Sequence, residues 1–261
     1  MLNISEYRDL ISLFGEFSEK ELSPKRLEID KGGEAFKGAI KKLGELGVFD
    51  EEINSIPLPV KIKIIMELSR GEAGIAQFVA KSWTVGNLGI ARSEKLVQFP
   101  SERVYYNGKL AEFKGENVDV LGLRSCSWAL GEIRVLGDYG NFDKEILFYD
   151  IACLVGISEA ALESAENYAK ERKAFDRTIY DFEEIRGFIQ RGRSYVEGIK
   201  GALLVSEDPM KLLNLALEMA YFCTDKAMQI FGGYSFINEY PVQKFLRDAR
   251  MLRSLLIRKL W

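Results

Sequence analysis

The sequence predicts a mainly α-helical protein with a short β insertion between two helical parts. Two observations give this fold class. Apolar residues recur at helical spacing in residues 5–92 and again from residue 143 onward, whereas residues 96–140 are rich in strand-forming residues and turn-forming glycines. We therefore predict an N-terminal helical domain over 1–93, a shortened β segment over 94–142 and a C-terminal four-helix bundle over 143–261.

The N-terminal part shows the usual helix stop and start signals. A first amphipathic helix runs up to Pro24, and a second from about Glu34 ends at Gly47. Two more helices are predicted over 58–69 and 72–92, the first of them opened by prolines.

The middle segment carries the signals of short strands. Asn107-Gly108 is the dipeptide that favours two-residue hairpin loops, and strand-forming residues flank it. Residues 118–123 and 133–136 indicate further strands. These strands predict a small β insertion.

The C-terminal part predicts four long helices, over 143–175, 181–204 and 209–231 and from Pro241 onward. Four long helices in succession are typical of a bundle. The third is apolar nearly all round, so bundle neighbours or another subunit must cover it. We therefore predict an oligomer.

Composition restricts the chemistry. The 261 residues include 36 Lys and Arg, 39 Asp and Glu, and no His, which excludes Ser-His-Asp and Cys-His nucleophiles and His-ligated metals. The three cysteines form no C-x-x-C pair, so we predict no metal site.

The slight excess of acidic over basic residues argues against nucleic-acid binding. No signal peptide or membrane-spanning stretch is evident, and we expect a cytoplasmic protein.

Two segments are more specific than a helical pattern requires. The first is Tyr-Ala-Lys-Glu-Arg-Lys-Ala-Phe over 168–175, followed by Asp-Phe at 181–182. The second begins Gln-Ile-Phe-Gly-Gly at 229–233 and continues through Glu-Tyr-Pro at 239–241 to Arg-Asp-Ala at 247–249. They resemble, in order, the Y-x-x-x-R-x-x-F, Q-I-x-G-G and R-D-A motifs of acyl-CoA dehydrogenases. Leu-Gly-Leu-Arg-Ser at 121–125 is a weaker match, to the L-G-x-R-x-S turn of the family's middle domain. Co-linear motifs are more specific than one alone.

The resemblance implies a fold in which a helical domain, a β domain and a four-helix bundle enclose FAD. It also implies an oxidoreductase of fatty acid metabolism that converts an acyl-CoA to its 2,3-enoyl form. A carboxylate takes the α-proton and the flavin takes the hydride, which suits a chain without His. The implied assembly is a homodimer or homotetramer.

The resemblance also assigns cofactor-binding residues. Arg172 and Phe175 are implied to meet the FAD of a neighbouring subunit, and Gln229, Gly232 and Gly233 to contact the dinucleotide. A structural alternative stays open for each segment. Arg172 and its basic neighbours complement a helix C-terminus, and Gly232 and Gly233 suit the end of a helix.

The usual catalytic Glu of the family is absent, because counting from the R-D-A segment places Leu256 at its position. Some relatives carry the base at the start of the long helix that contains the Y-x-x-x-R motif near its end. Counting back from that motif without a gap places Ile146 at this position. Aligning Phe-Asp-Lys at 142–144 with the family's F-D-K places Glu145 there instead. The alternative is that Glu145 is simply an anion at a helix N-terminus, where negative charge is stabilised. Asp150 is a third candidate, although we expect it to be exposed on the bundle surface.

These departures leave three functions open. The first is an FAD-dependent acyl-CoA dehydrogenase-like enzyme. The second is a catalytically silent subunit that pairs with a complete homologue and lends it part of an FAD site. The third is a flavin-dependent oxygenase, since family relatives of that type lack the Glu.

Overall fold

The N-terminal part of the chain is helical. The computed structural model describes residues 4–86, 88–91, 95–99, 101–107, 109–117, 128–138 and 143–257. Its first five α-helices are α1 (Arg8–Phe17), α2 (Arg26–Ile29), α3 (Gly33–Glu45), α4 (Leu58–Gly71) and α5 (Ala73–Val85). Helix α5 is shorter than predicted, because the backbone of Gly86 turns to a φ of +61° directly after it.

The middle segment forms a small closed barrel. Its strands are β1 (Gly89–Ala91), β2 (Leu96–Gln98), β3 (Arg103–Tyr106), β4 (Lys109–Asn117) and β5 (Trp128–Asp138), in the order β1-β2-β5-β4-β3. Tyr106 pairs with Lys109, and Asn107 has a φ of +47°, so the predicted hairpin is confirmed. The strand predicted over 118–123 lies outside the described residues.

The C-terminal part is the predicted four-helix bundle. It consists of α6 (Asp143–Glu171), α7 (Glu183–Val205), α8 (Met210–Phe231) and α9 (Val242–Leu256), and a two-stranded hairpin, β6 (Lys173–Ala174) and β7 (Arg177–Thr178), joins α6 to α7. The sequence predicts that α6 continues to residue 175, but the helix ends at Glu171, because this hairpin begins directly after it.

The helices from both ends of the chain share one hydrophobic core, which extends from Phe14 to Leu256. Helix α6 runs through its centre, and residues 146–157 are buried. A second cluster fills the barrel. The predicted domain boundaries stay predictions, because 92–94 and 139–142 lie outside the described residues. Within the part of the chain that the structure describes, no helix is long and apolar enough to cross a bilayer.

A buried ion cluster joins the N-terminal helices to α9. The ammonium of Lys244 lies 2.5 Å from Asp248 Oδ2, 2.6 Å from Glu72 Oε1 and 3.8 Å from Asp30 Oδ1, and all four side chains are at least 94% buried. Arg247 pairs with Asp30 at 2.6 Å. Burial raises the pKa of Asp248 to about 7 although Lys244 opposes the shift. Burial also opposes the charge on Lys244, but its three carboxylate neighbours hold its pKa above the ordinary value.

Candidate functional site

The hairpin after α6 fixes the backbone of Arg172. The Arg172 amide donates to the Tyr168 carbonyl at 2.9 Å, and the Ile179 amide donates to the Arg172 carbonyl at 2.8 Å. At the tip, Phe175 and Asp176 have φ values of +53° and +62°, a left-handed conformation that is strained for a bulky residue such as Phe. The hairpin therefore holds Arg172 at one defined place beside the end of α6.

Arg172 meets Gly232 and Gly233 in one cleft of about 470 Å³, although about sixty residues separate it from the two glycines in sequence. Gly232 ends α8 with a φ of +58°, which explains the glycine there. A Cβ built on either glycine meets no atom within 4 Å, so this backbone faces open space. The remaining lining residues are Tyr168, Ile179, Ile230, Phe231, Tyr234 and Ile237.

Aromatic rings form one wall of the cleft. Tyr168 stacks on Phe231 with ring centroids 4.2 Å apart, and the Arg172 guanidinium lies 5.6 Å from the centroid of Tyr234. Such cation–π contacts orient a guanidinium without neutralising it. Sequence reasoning missed these rings as site residues. The available signal was that Tyr168 and Arg172 are four residues apart and so share one face at the end of α6.

Two predicted cofactor residues lie outside the lining of this cleft. Gln229 is exposed and bonds within its own helix, to Asp225 at 2.8 Å and Lys226 at 2.9 Å. Phe175 stands at the hairpin tip with 89% of its surface exposed. The implied roles of both residues stay predictions.

Of the candidate bases, Glu145 lies in the first turn of α6 and is half-buried. The Tyr149 hydroxyl, one turn further along, donates to Glu145 Oε1 at 2.6 Å. Ile146, the residue given by the ungapped count, is buried and packs near Val85 and Tyr105. Glu145 therefore lies beside the point where α5, β3 and α6 meet.

Asp150 is buried, and the expectation of an exposed residue is wrong. Only 1% of its surface is exposed, and its Oδ1 accepts a hydrogen bond from Gln77 Nε2 at 3.0 Å. The reason is that α5 covers this face of α6. A carboxylate enclosed and bonded in this way is poorly placed to reach a substrate.

The C-terminal motif residues are structural in this fold. Leu256, at the position of the usual catalytic Glu, is fully buried in the core. Arg247 forms an ion pair with Asp30, and Asp248 forms one with Lys244. The weaker motif at 121–125 lies outside the described residues.

Comparison with known proteins agrees with this architecture. The family description "Acyl-CoA dehydrogenase, C-terminal domain" matches residues 210–255, which span α8 and α9. The short-chain-specific acyl-CoA dehydrogenase of Megasphaera elsdenii is 30% identical over 194 residues, or 70% of this chain and 48% of that protein. The chain belongs to the acyl-CoA dehydrogenase family.

Other family relatives are matched over similar lengths. The caffeyl-CoA reductase-Etf complex subunit CarC of Acetobacterium woodii is 37% identical over 165 residues, 52% of this chain and 43% of that protein. The chain spans between about a quarter and about a half of the length of the curated relatives it matches.

Solved structures share the fold. A structure of the electron transferring flavoprotein of Acidaminococcus fermentans has a TM-score of 0.78 at 19% identity, covering 97% of this chain and 94% of that one. Butyryl-CoA dehydrogenase from Megasphaera elsdenii has a TM-score of 0.69 at 19% identity, with the same coverage. At this identity the likeness shows the fold alone.

Proposed function

We propose that the chain is an FAD-dependent, acyl-CoA dehydrogenase-like flavoprotein that oxidises an acyl-CoA thioester to the 2,3-enoyl-CoA. The observation that carries the proposal is the cleft in which Arg172, Gly232 and Gly233 meet. Membership of the family supports the reaction class, and a relative solved in complex with FAD supports the cofactor.

The cleft fits the dinucleotide end of FAD. A guanidinium is a strong partner for a diphosphate, and the side-chain-free backbone of Gly232 and Gly233 permits close approach. The cleft volume lies within the range of about 300–1,000 Å³ that is typical of small-molecule sites. Arg172 would hold the diphosphate, and the aromatic wall would exclude water from one side.

FAD supplies hydride acceptance, which no side chain of this protein can provide. The protein must supply the base that removes the substrate α-proton. Among the carboxylates that the sequence proposes, Glu145 is half-buried near the junction of the three parts of the fold, whereas Asp150 is enclosed. We therefore assign the base to Glu145. Because Arg172 follows the opposite end of α6, about 40 Å away at 1.5 Å per residue, the base and the diphosphate contact of one FAD come from two subunits.

Activity is tested by adding an acyl-CoA anaerobically to the FAD-loaded protein. The flavin absorbance near 450 nm is expected to bleach with the wild type. Glu145→Gln should slow bleaching by about 100-fold or more, because general bases contribute about 10²–10⁴-fold. The exposed Glu171→Gln serves as the control and should bleach at the wild-type rate. Equal bleaching by Glu145→Gln would remove this residue from the mechanism.

We also propose that the chain forms a homodimer or homotetramer through α7 and α8. A groove of about 700 Å³ lies between these helices, and Leu215 and Tyr221 on its wall are 58% and 43% exposed. Tyr, Met, Leu and Arg side chains line it, and aromatic residues, Met and Arg are enriched at protein interfaces.

Light scattering is expected to give an oligomeric mass for the wild type and a smaller mass for Leu215→Glu. Val205→Glu introduces the same charge at an exposed residue outside the groove and should leave the mass unchanged. A monomeric wild type would contradict the proposed assembly.

A second candidate function is a non-catalytic subunit that shares its FAD site with a complete homologue. The buried Leu256 at the position of the usual base favours it. Co-expression with a full-length homologue, followed by affinity purification, should yield a mixed oligomer whose FAD content falls when Arg172 is replaced. Turnover by the isolated chain would exclude a silent role.

A further inference from the structure

We propose that Tyr149 is a positioning residue that holds Glu145 in place for proton abstraction. This inference rests on the proposed role of Glu145 as the base. The phenol hydroxyl donates to Glu145 Oε1 at 2.6 Å, a distance typical of a hydrogen bond from a hydroxyl to a carboxylate. Because a carboxylate has two oxygens and Tyr149 occupies one, the other remains for the substrate.

Tyr149 is itself fixed by its surroundings. Its side chain is 1% exposed, and its ring lies edge-on to Trp83 of α5 with centroids 5.9 Å apart. Trp83 in turn donates its indole N–H to the Val48 carbonyl at 2.8 Å. The Tyr149 hydroxyl is thus held in place by the packing of its ring against α5, and α5 is in turn held by the segment after α3.

The phenol also stays a donor while the carboxylate is ionised. Burial, together with the nearby charge of Glu145, raises the pKa of Tyr149 well above its ordinary value. A phenol that keeps its proton does not compete for the proton that the base removes. A carboxylate held by one hydrogen bond from a rigid ring loses most of its rotational freedom, which favours proton transfer in a fixed geometry.

The step that this arrangement serves is removal of a substrate α-hydrogen. The C–H bond breaks, the proton forms an O–H bond with the second oxygen of Glu145, and the electron pair moves onto the thioester carbonyl as an enolate. Tyr149→Phe removes the hydroxyl and keeps the ring, so the carboxylate rotates freely while the packing is retained. The rate of proton removal should fall and substrate binding should not change.

The test uses the FAD-loaded protein and an acyl-CoA in which sulfur replaces the β-carbon, because this thioester can lose an α-proton but cannot be desaturated. Exchange of its α-hydrogens with D₂O is followed by NMR. Tyr149→Phe should slow exchange about tenfold at unchanged affinity, and Glu145→Gln about 100-fold or more. Tyr7→Phe, which removes a hydroxyl elsewhere, should match the wild type.

The outcomes separate the two claims. Wild-type exchange in Tyr149→Phe, with exchange lost in Glu145→Gln, would overturn the positioning role and leave the base intact. Wild-type exchange in Glu145→Gln would overturn both. The hydrogen bond is also detected by NMR of the cofactor-free protein, labelled at the tyrosine ζ carbons. The Tyr149 resonance is identified as the one missing from the spectrum of Tyr149→Phe, and it should shift in Glu145→Gln. An unshifted resonance would likewise overturn the proposal.

Discussion

Replacing Lys244 with Met is expected to lower the free energy of unfolding by about 3–5 kcal/mol. Met keeps the length of the side chain but removes the cation that lies 2.5 Å from Asp248 and 2.6 Å from Glu72. Asp30 retains Arg247 as a partner, whereas the other two carboxylates stay buried without their nearest positive charge. Removing one partner of a buried ion pair is costly because the remaining charge is neither hydrated nor paired.

Urea denaturation measures this effect, with Lys20→Met as the matched control. Lys20 pairs with Glu16 at 2.8 Å, but both side chains are more than 60% exposed, and such surface pairs contribute about 0–1 kcal/mol. If Lys244→Met unfolds at the same urea concentration as Lys20→Met, the cluster does not stabilise the attachment of α9 to the N-terminal helices.

Gly156→Ala is expected to cost about 3 kcal/mol of stability, because α6 crosses α4 at this residue without room for a methyl group. A Cβ there would lie 1.9 Å from Ser69 Oγ and 2.4 Å from the Met66 carbonyl oxygen. Ser69 is buried and donates to the same carbonyl at 2.9 Å, so neither atom can move without breaking a buried hydrogen bond. The helices must separate, and overpacking of this kind is destabilising.

Gly201→Ala is the control for the Gly156 substitution. Gly201 lies within α7, and a Cβ there meets no atom within 4 Å, so alanine should raise stability by about 0.5–1 kcal/mol through its higher helix propensity. Thermal unfolding of both variants provides the comparison. Equal midpoints would show that the α4–α6 crossing is looser than the structure indicates.

The sequence predicts the parts of this fold whose signals are local. Asn107 marks the hairpin, and apolar spacing places the four bundle helices. The end of α6 at Glu171 has no such signal, because Phe175 and Asp176 occupy left-handed backbone without a glycine. Tertiary packing, and not local preference, determines that hairpin.

The site depends on long-range contacts that spacing cannot provide. The motif resemblance names Arg172, Gly232 and Gly233, but only the packing of α6 against α8 shows that they share a cleft. The sequence does not predict the burial of Asp150, because a charged side chain on a helix is expected on the solvent-exposed face. Here Gln77, on another helix, provides the hydrogen bond that permits its burial.

Binding of FAD in this cleft is measured by titrating the flavin-stripped protein with FAD. We expect saturable binding, weakened about 10–100-fold by Arg172→Gln, because a hydrogen bond to a charged group contributes about 1.5–3 kcal/mol. Lys173→Gln removes the same charge one residue away, outside the cleft lining, and should bind as the wild type does. No binding by the wild type, or equal affinity of the Arg172 and Lys173 variants, would contradict FAD binding in this cleft.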